Sequence, residues 1–132
     1  MRRHFLLPET DMEYLDAQGL HWETVIEPGW QWLLLHDFPV PDGYNARRVT
    51  AAVSICAGYP DAPLDMVYFY PPLARTDGRA INCLTTQVID GKSFQRWSRH
   101  RTGQNPWRPG EDDLAAHLAL VEHWLEREFM KG

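Results

Sequence analysis

The sequence predicts an α+β domain with an N-terminal helix, a four-stranded antiparallel meander, a long loop and a C-terminal helix. Three observations predict it: a capped helical pattern near the start, four strand-like runs separated by turn residues, and apolar residues at helical spacing near the end. With 132 residues the chain is long enough for one sizeable core and too short for two. One domain over residues 1–132 is therefore expected.

The N-terminal helix is expected over residues 8–19. Thr10 and Glu13 have the spacing of a capping box, and Gly19 is suited to end the helix. The strands follow as runs rich in aromatic and branched residues, and the short Pro28-Gly29 turn joins the first two as a hairpin. The four expected strands cover residues 21–27, 30–40, 47–60 and 66–70.

The rest of the chain is expected to lack strands. Residues 90–110, DGKSFQRWSRHRTGQNPWRPG, have turn residues at both ends and positive charges between them, which favours an irregular surface segment. A helix is expected over residues 111–129, with acids in its first turn where the helix dipole favours them. One face of this helix carries Leu114, Leu118, Val121 and Leu125.

Composition and charge exclude several classes of protein. The formal net charge of -5 argues against a general affinity for nucleic acid or anionic lipid. No apolar run approaches the roughly 20 residues that span a bilayer, and the start, MRRHFLLPET, is too short in apolar residues for a secretion signal. A cytoplasmic protein with free thiols is expected, and a Cys56–Cys83 disulfide is the alternative.

The segment GRAINCLTTQ, residues 78–87, contains Cys83 in a predicted loop, where functional residues are often found. A partly exposed thiol becomes a nucleophile when nearby cations favour its thiolate. The alternative is that Cys83 is a small buried residue. Cys56 adjoins Ile55 in an alternating strand and is expected in the core. The cations available to Cys83 are Arg79, Arg96, Arg99 and Arg101.

The segment RWSRHR, residues 96–101, combines a hydroxyl, an imidazole and three guanidinium groups. His100 is suited to act as a general base, because its ordinary pKa lies near working pH, and Ser98 is the neighbouring hydroxyl. The arginines could instead bind a carboxylate or phosphate. The remaining interpretation is a solvated basic loop anchored by Trp97.

The sequence pattern predicts no metal site and no cofactor. Cys/His zinc spacing, a glycine-rich phosphate loop and a Gly-x-Ser-x-Gly elbow are all absent from it. His117 and His123 lie six residues apart on the last helix and do not share a face. Trp30 and Trp32 share one face of their strand, where they contact either the core or a partner.

The order of these motifs resembles the ubiquitin-conjugating enzyme family. YPDAP (residues 59–63) resembles its Tyr-Pro-x-x-Pro turn, and GRAINCL (78–84) resembles its Gly-x-Ile-Cys-Leu segment with one extra residue. NPWRPG (105–110), with the helix that follows, resembles its Trp-x-Pro element. The resemblance runs from about Pro8 to the end and is closest to divergent bacterial members. It implies a UBC-like fold. It also implies that the gene for this protein lies near genes for ubiquitin-like proteins, an activating enzyme and a JAB-type metalloprotease.

This resemblance implies that Cys83 accepts a ubiquitin-like protein from an activating enzyme as a thioester and transfers it to a target protein. In the family, the asparagine of a His-Pro-Asn motif before the cysteine supports the oxyanion, but here YPPLARTDGR stands in its place. Asn82 or His100 is then expected to replace that group, with Ser98 or Arg101 steadying the attacking acceptor. In an alternative register, residues 98–100 occupy the usual cysteine position, which makes the chain a cysteine-less variant.

Three other functions remain open. The chain could be a non-catalytic docking module for a ubiquitin-like protein or activating enzyme, a small cysteine hydrolase using Cys83 and His100, or a structural protein without a site. The resemblance also implies a surface for the activating enzyme around residues 1–18, which charge reversal at Arg2 and Arg3 would weaken.

Overall fold

A computed structural model describes residues 1–130 of the chain. Within these residues the chain forms two α-helices, one short 3₁₀ helix and six β-strands. In chain order they are α1 Glu9–Ala17, β1 His21–Glu27, β2 Trp30–Pro39, β3 Arg48–Ser54, β4 Val67–Tyr70, β5 Leu84–Ile89, β6 Lys92–Trp97, α2 Leu114–Arg127 and the 3₁₀ turn Glu128–Met130. The two expected helices are confirmed.

All six strands form one antiparallel sheet in the order β1-β2-β3-β4-β6-β5. The four expected strands pair in consecutive order as β1-β2-β3-β4. The expectation that no strand follows them is wrong, because the β5–β6 hairpin adds two strands alongside β4, and the expected irregular segment is irregular only after Trp97. Asp90 and Gly91 form its two-residue turn, and both have positive φ (52° and 75°). An Asp-Gly pair is a favoured sequence for such a turn. The signal was present, but polar residues along both strands obscured the period of two.

The main core lies between one face of the sheet and the helices. The predicted apolar face of α2 is buried there, which confirms it. The acids do not occupy the first turn of α2; Asp113 is instead the N-cap, and its carboxylate accepts from the Ala116 N–H at 2.9 Å. The sheet contributes buried residues from its central strands, namely Leu33, Leu35, Ala51, Val53, Phe69 and Trp97.

The opposite face of the sheet holds a smaller buried cluster: Val25, Trp32, Leu34, Ala52, Tyr68, Ile89 and Phe94. This face is covered because the edge strands β1 and β5 are tied together at one corner. The Asp90 N–H donates to the Glu27 carboxylate at 3.0 Å, and Arg2 pairs with the Asp90 carboxylate at 2.7 Å. The sheet therefore curls over part of its own second face.

Helix α1 begins at Glu9 with Pro8 at the N-cap and no side-chain cap, so the expected Thr10–Glu13 capping box is wrong. Gly19, with a φ of 71°, follows the last turn as expected. Asp11 is buried and accepts from the Tyr59 hydroxyl and from the Leu114 N–H. Helix α1 is thus fixed to the Tyr-Pro segment and to the start of α2.

Within residues 1–130, no helix has both the length and the apolar content to cross a bilayer.

Candidate functional site

Cys83 is the residue immediately before β5, where it is exposed, carries a free thiol and has a φ of 58°. A positive φ is uncommon for a residue other than glycine. Because the Cys83 side chain is exposed, the interpretation of Cys83 as a small buried residue is wrong. Cys56 is also a free thiol, so the disulfide alternative is wrong as well.

The pairing of β5 with β6 brings the cysteine next to the RWSRHR segment. Leu84 pairs with Trp97, so the chain before β5 meets the chain after β6. The Ser98 N–H donates to the Cys83 carbonyl at 3.1 Å. Three of the predicted site residues, Asn82, Cys83 and Ser98, therefore lie at one corner of the sheet.

The last two residues of the segment, His100 and Arg101, contact the chain just before β4, on the other side of β6. His100 Nδ1 lies 2.7 Å from the Asp65 carboxylate, and the Arg101 N–H donates to the same carboxylate at 3.2 Å. The Arg101 Nε–H donates to the Leu64 carbonyl at 2.9 Å. The physical reason is the strand order: β6 lies between β4 and β5, so residues beyond its end can contact both sides.

The His100 ring therefore contacts Asp65 and not the cysteine. Within residues 1–130, no hydrogen bond or ion pair joins His100 to Cys83. Because a carboxylate only accepts, the neutral ring carries its proton on Nδ1 and keeps a lone pair on Nε2. Both side chains are accessible, with exposed fractions of 60% for His100 and 39% for Asp65. An oriented, accessible imidazole of this kind is able to act as a general base.

Asp65 is a site residue that the sequence analysis missed. It lies 35 positions before His100, in a segment that showed only turn residues. Its one sequence signal is an acid directly before a strand-like run.

Arg99 connects the cysteine segment to the residues after α2. Its Nη1 donates to the Asn82 carbonyl at 3.0 Å, and its Nη2 lies 3.1 Å from the Glu128 carboxylate. The guanidinium also stacks over the Trp97 ring at 4.9 Å. The Glu128 side chain is 4% exposed, so this ion pair is largely removed from water. Arg99 thus links the cysteine segment to the turn that follows α2.

His117 is a buried structural residue of α2. Its Nε2 lies 2.9 Å from the Met66 carbonyl, and its Nδ1 lies 3.2 Å from the Arg101 guanidinium. A carbonyl accepts and a guanidinium donates, so the ring is neutral with its proton on Nε2. Burial lowers the pKa of His117 to about 4, which agrees with a neutral ring. His123, by contrast, is exposed.

Cys56 was expected in the core, and this prediction is wrong. Strand β3 ends at Ser54, and the inward alternation stops at Ile55, which is buried. Cys56 lies beyond both and is exposed, with its Sγ 3.8 Å from the Pro63 carbonyl. The chain therefore has two accessible thiols, of which only Cys83 lies at the corner formed by β5 and β6.

Two of the motifs that carried the resemblance meet in the structure. The rings of Tyr59 and Trp107 are 6.0 Å apart, and the Trp107 indole N–H donates to the Pro60 carbonyl at 3.0 Å. The Tyr59 hydroxyl donates to Asp11, whose pKa is raised by burial. These motif residues hold the irregular segment before α2 against the Tyr-Pro turn.

An open depression of about 320 Å³ lies beside the cysteine segment. Its walls are the 73–81 loop and Leu84, the residue after Cys83. Leu73 and Ile81 supply its apolar surface, and Arg79 lies at its side.

An antiparallel sheet packed against two helices, with an accessible cysteine at a sheet corner, is consistent with the E2-like class of proteins. Residues 7–128 match the family described as prokaryotic E2 family E, and the chain belongs to that family. The resemblance drawn from the sequence motifs is thereby confirmed. Membership connects the protein, at a coarse level, to ubiquitin-like conjugation and to ubiquitin-like proteins and activating enzymes as partners. No curated protein and no solved structure matches the chain.

Proposed function

We propose that the protein is a conjugating enzyme that carries a ubiquitin-like protein as a thioester on Cys83 and transfers it to a target protein. The observation that carries this proposal is the location of Cys83. In a member of an E2 family, this free and exposed thiol lies next to the segment that holds the His100–Asp65 pair.

The first step is a transthioesterification. The Cys83 sulfur attacks the thioester carbonyl that joins the modifier to the activating enzyme, so a new S–C bond forms. The old S–C bond breaks, and the proton from Cys83 goes to the departing thiolate of the activating enzyme. The depression beside Leu84 would receive the C-terminal residues of the modifier.

The second step transfers the modifier to an amine or hydroxyl of the target. The acceptor atom attacks the thioester carbonyl, the S–C bond breaks, and the Cys83 sulfur leaves as a thiolate. Nε2 of His100, with Asp65 holding Nδ1, takes the proton from the acceptor. The Asn82 side chain makes no hydrogen bond within residues 1–130, so its amide is available to donate to the oxyanion.

A charging assay tests the proposal. The protein is incubated with ATP, the activating enzyme and the ubiquitin-like protein of the same gene neighbourhood, and the products are run on reducing and non-reducing gels. The wild-type protein should give a thiol-sensitive adduct. Cys83→Ala should abolish it, whereas Cys56→Ala, which removes the other exposed thiol, should leave it unchanged.

Four further variants sharpen the assay. Cys83→Ser should trap an ester that survives reducing agent, because an oxygen ester resists thiols. His100→Gln and Asp65→Asn should leave charging intact and slow transfer to an acceptor amine by 10²-fold or more. An adduct that persists in Cys83→Ala and is lost in Ser98→Ala would contradict the assignment of Cys83 and favour the alternative register.

The absence of a His-Pro-Asn motif favours a second function, a docking module without catalysis. In that case no variant forms an adduct, yet the protein still binds the modifier or the activating enzyme in a pull-down. A cysteine hydrolase would instead turn over a small thioester without ATP, and Cys83→Ala would stop the turnover.

The expected activating-enzyme surface around residues 1–18 needs a different test from charge reversal at Arg2 and Arg3. Arg2 pairs with Glu23 and Asp90, and the Arg3 guanidinium lies 3.4 Å above the Trp22 ring. Reversing either charge would therefore disturb the fold itself. The exposed acids of α1, Glu9 and Glu13, are cleaner positions, and charge reversal at Glu126 on α2 is the matched control.

A further inference from the structure

Arg96 has an unusual environment for an arginine. It lies in β6, half-buried on the sheet face opposite the main core. Among the described residues 1–130, its buried Nε–H has no hydrogen-bond partner, and its Nη2 contacts only the Met66 sulfur at 3.6 Å. A thioether is a weak acceptor. One edge of the guanidinium, formed by the Nε and Nη2 donors, thus lacks a good acceptor.

The same edge is occupied by a carboxylate in two other arginines of this chain. Arg2 contacts Glu23 through Nε at 2.9 Å and Nη2 at 3.5 Å. Arg75 contacts Asp77 through Nε at 3.1 Å and Nη2 at 2.5 Å. These two donors match the two oxygens of a carboxylate, which is the partner that a guanidinium fork binds best. In Arg96 the place of that carboxylate is taken by the Met66 side chain.

Arg96 and Met66 both line a cavity of about 250 Å³. Trp30 forms an aromatic wall of this cavity; it is 43% exposed and stacks on the buried Trp32 with 5.1 Å between ring centroids. Tyr68 forms another wall. A flat apolar group bound there would cover the exposed part of the Trp30 ring.

The one acid that lines the cavity already has hydrogen-bond donors. Asp65 accepts from His100 and from the Arg101 N–H, so each of its two oxygens already has a donor within the protein. Within residues 1–130, no ion pair joins Arg96 to any carboxylate. The positive charge of the Arg96 guanidinium can therefore pair with an anionic group of a ligand.

We infer that this cavity binds an aromatic carboxylate, with the carboxylate on the Nε and Nη2 edge of Arg96 and the aromatic group against Trp30. Binding requires the Met66 side chain to move aside, which its three rotatable bonds allow. The ligand is either a small aromatic acid or the C-terminal aromatic residue of a peptide, since both present the same two groups. Cys83 does not line this cavity, and the test needs no conjugation activity.

The test compares two probes that differ only in the carboxylate, N-acetylphenylalanine and N-acetylphenylalanine amide. Binding is followed by tryptophan fluorescence and by the ¹⁵N–¹H signal of Arg96 Nε. The acid should bind at least 10-fold more tightly than the amide, because a charge-assisted bidentate contact is lost in the amide. Phenylacetate and a pentapeptide ending in phenylalanine then distinguish the small-acid source from the peptide source.

Three variants complete the design. Arg96→Lys keeps the charge and the aliphatic stem but lacks the fork, so it should weaken binding of the acid at least 10-fold. Met66→Leu removes the sulfur and keeps the volume, so it should retain binding. Arg47→Met, at an exposed arginine before β3, is the matched control and should also retain it.

Two results would overturn binding of the acid at Arg96, and a third would overturn the assignment to a carboxylate. One is equal affinity for the acid and the amide. The other is binding of the acid that is unchanged in an Arg96→Lys protein whose circular dichroism melt is like that of the wild type. If inorganic phosphate displaces the acid with equal affinity, the assignment to a carboxylate is also wrong.

Discussion

The backbone N–H of Ser98 donates to the carbonyl of Cys83 at 3.1 Å, across the open end of the β5–β6 hairpin. This single bond brings together two segments that were separate candidates in the sequence. It also holds Cys83 in its left-handed conformation, with a φ of 58°. The conformation of the candidate nucleophile is thus determined by the pairing of the hairpin.

The backbone of Cys83 leads to a prediction about stability. Replacing Cys83 with Gly should raise the free energy of unfolding by about 1 kcal/mol relative to Cys83→Ala, because Gly adopts a positive φ without steric conflict. Urea denaturation measures the difference. At Cys56, which has no positive φ, the Gly variant should be no more stable than the Ala variant. A less stable Cys83→Gly protein would contradict the assigned conformation.

Buried His117 leads to a prediction about pH. Its pKa is about 4 in the folded protein and about 6.5 in the unfolded chain, so the unfolded chain binds more protons between these values. The free energy of unfolding should therefore fall as pH falls from 6.5 to 4, by about 3 kcal/mol for this group. Chemical denaturation at a series of pH values measures the slope.

The matched variants separate His117 from other titrating groups. His117→Gln should lose most of this slope, whereas His123→Gln, at an exposed histidine of the same helix, should keep it. Stability in the wild-type protein that is independent of pH between 4 and 6.5 would show that the ring is not held neutral.

The Arg99–Glu128 ion pair leads to a third prediction. Arg99→Met should destabilise the protein by about 3 kcal/mol, because it leaves the Glu128 carboxylate with less compensation in a site removed from water. The Asn82 carbonyl also loses its donor, so amide exchange in residues 82–84 should become faster. Arg79→Met, at an exposed arginine near the same loop, is the control. Unchanged stability and exchange would contradict an anchoring role.

Arg2 leads to a prediction that depends on salt. It pairs with Glu23 and Asp90 and thereby ties the N-terminal segment to the β5–β6 turn. Arg2→Gln should lower the free energy of unfolding by about 1 kcal/mol at low ionic strength, and by less at about 1 M NaCl, where charges are screened. Arg47→Gln should have no measurable effect. A loss that does not depend on salt would show that packing, and not charge, is the contribution of Arg2.

The ion pairs of Arg2 also make the free energy of unfolding depend on pH in the acid range. Hydrogen bonds from Arg2 lower the pKa of Glu23 to about 2. A lowered pKa of a carboxylate contributes stability that is present above its ordinary value of about 4.5 and is lost as pH falls towards 2. This window overlaps that of His117 only between pH 4 and 4.5, so most of each effect can be observed apart from the other in one titration.

The sequence by itself determined the helices, the first four strands and the family, because each depends on residues close together in the chain. The period of the apolar residues in α2 and the turn at Pro28-Gly29 are local signals of this kind. The motif order also identified Cys83 as the candidate nucleophile. Its exposure, however, and that of Cys56, depend on where the strands end.

Only the tertiary structure decided which distant residues pair with one another in the candidate site. Asp65 meets His100 across 35 positions, and Arg99 meets Glu128 across 29. Such contacts follow from the strand order β4-β6-β5, and this order depends on a hairpin whose polar strands do not show the apolar alternation of a half-buried sheet. Local periodicity reports which face of an element is buried, but not which distant segment will lie beside it. The composition of the candidate site was therefore set by strand pairing.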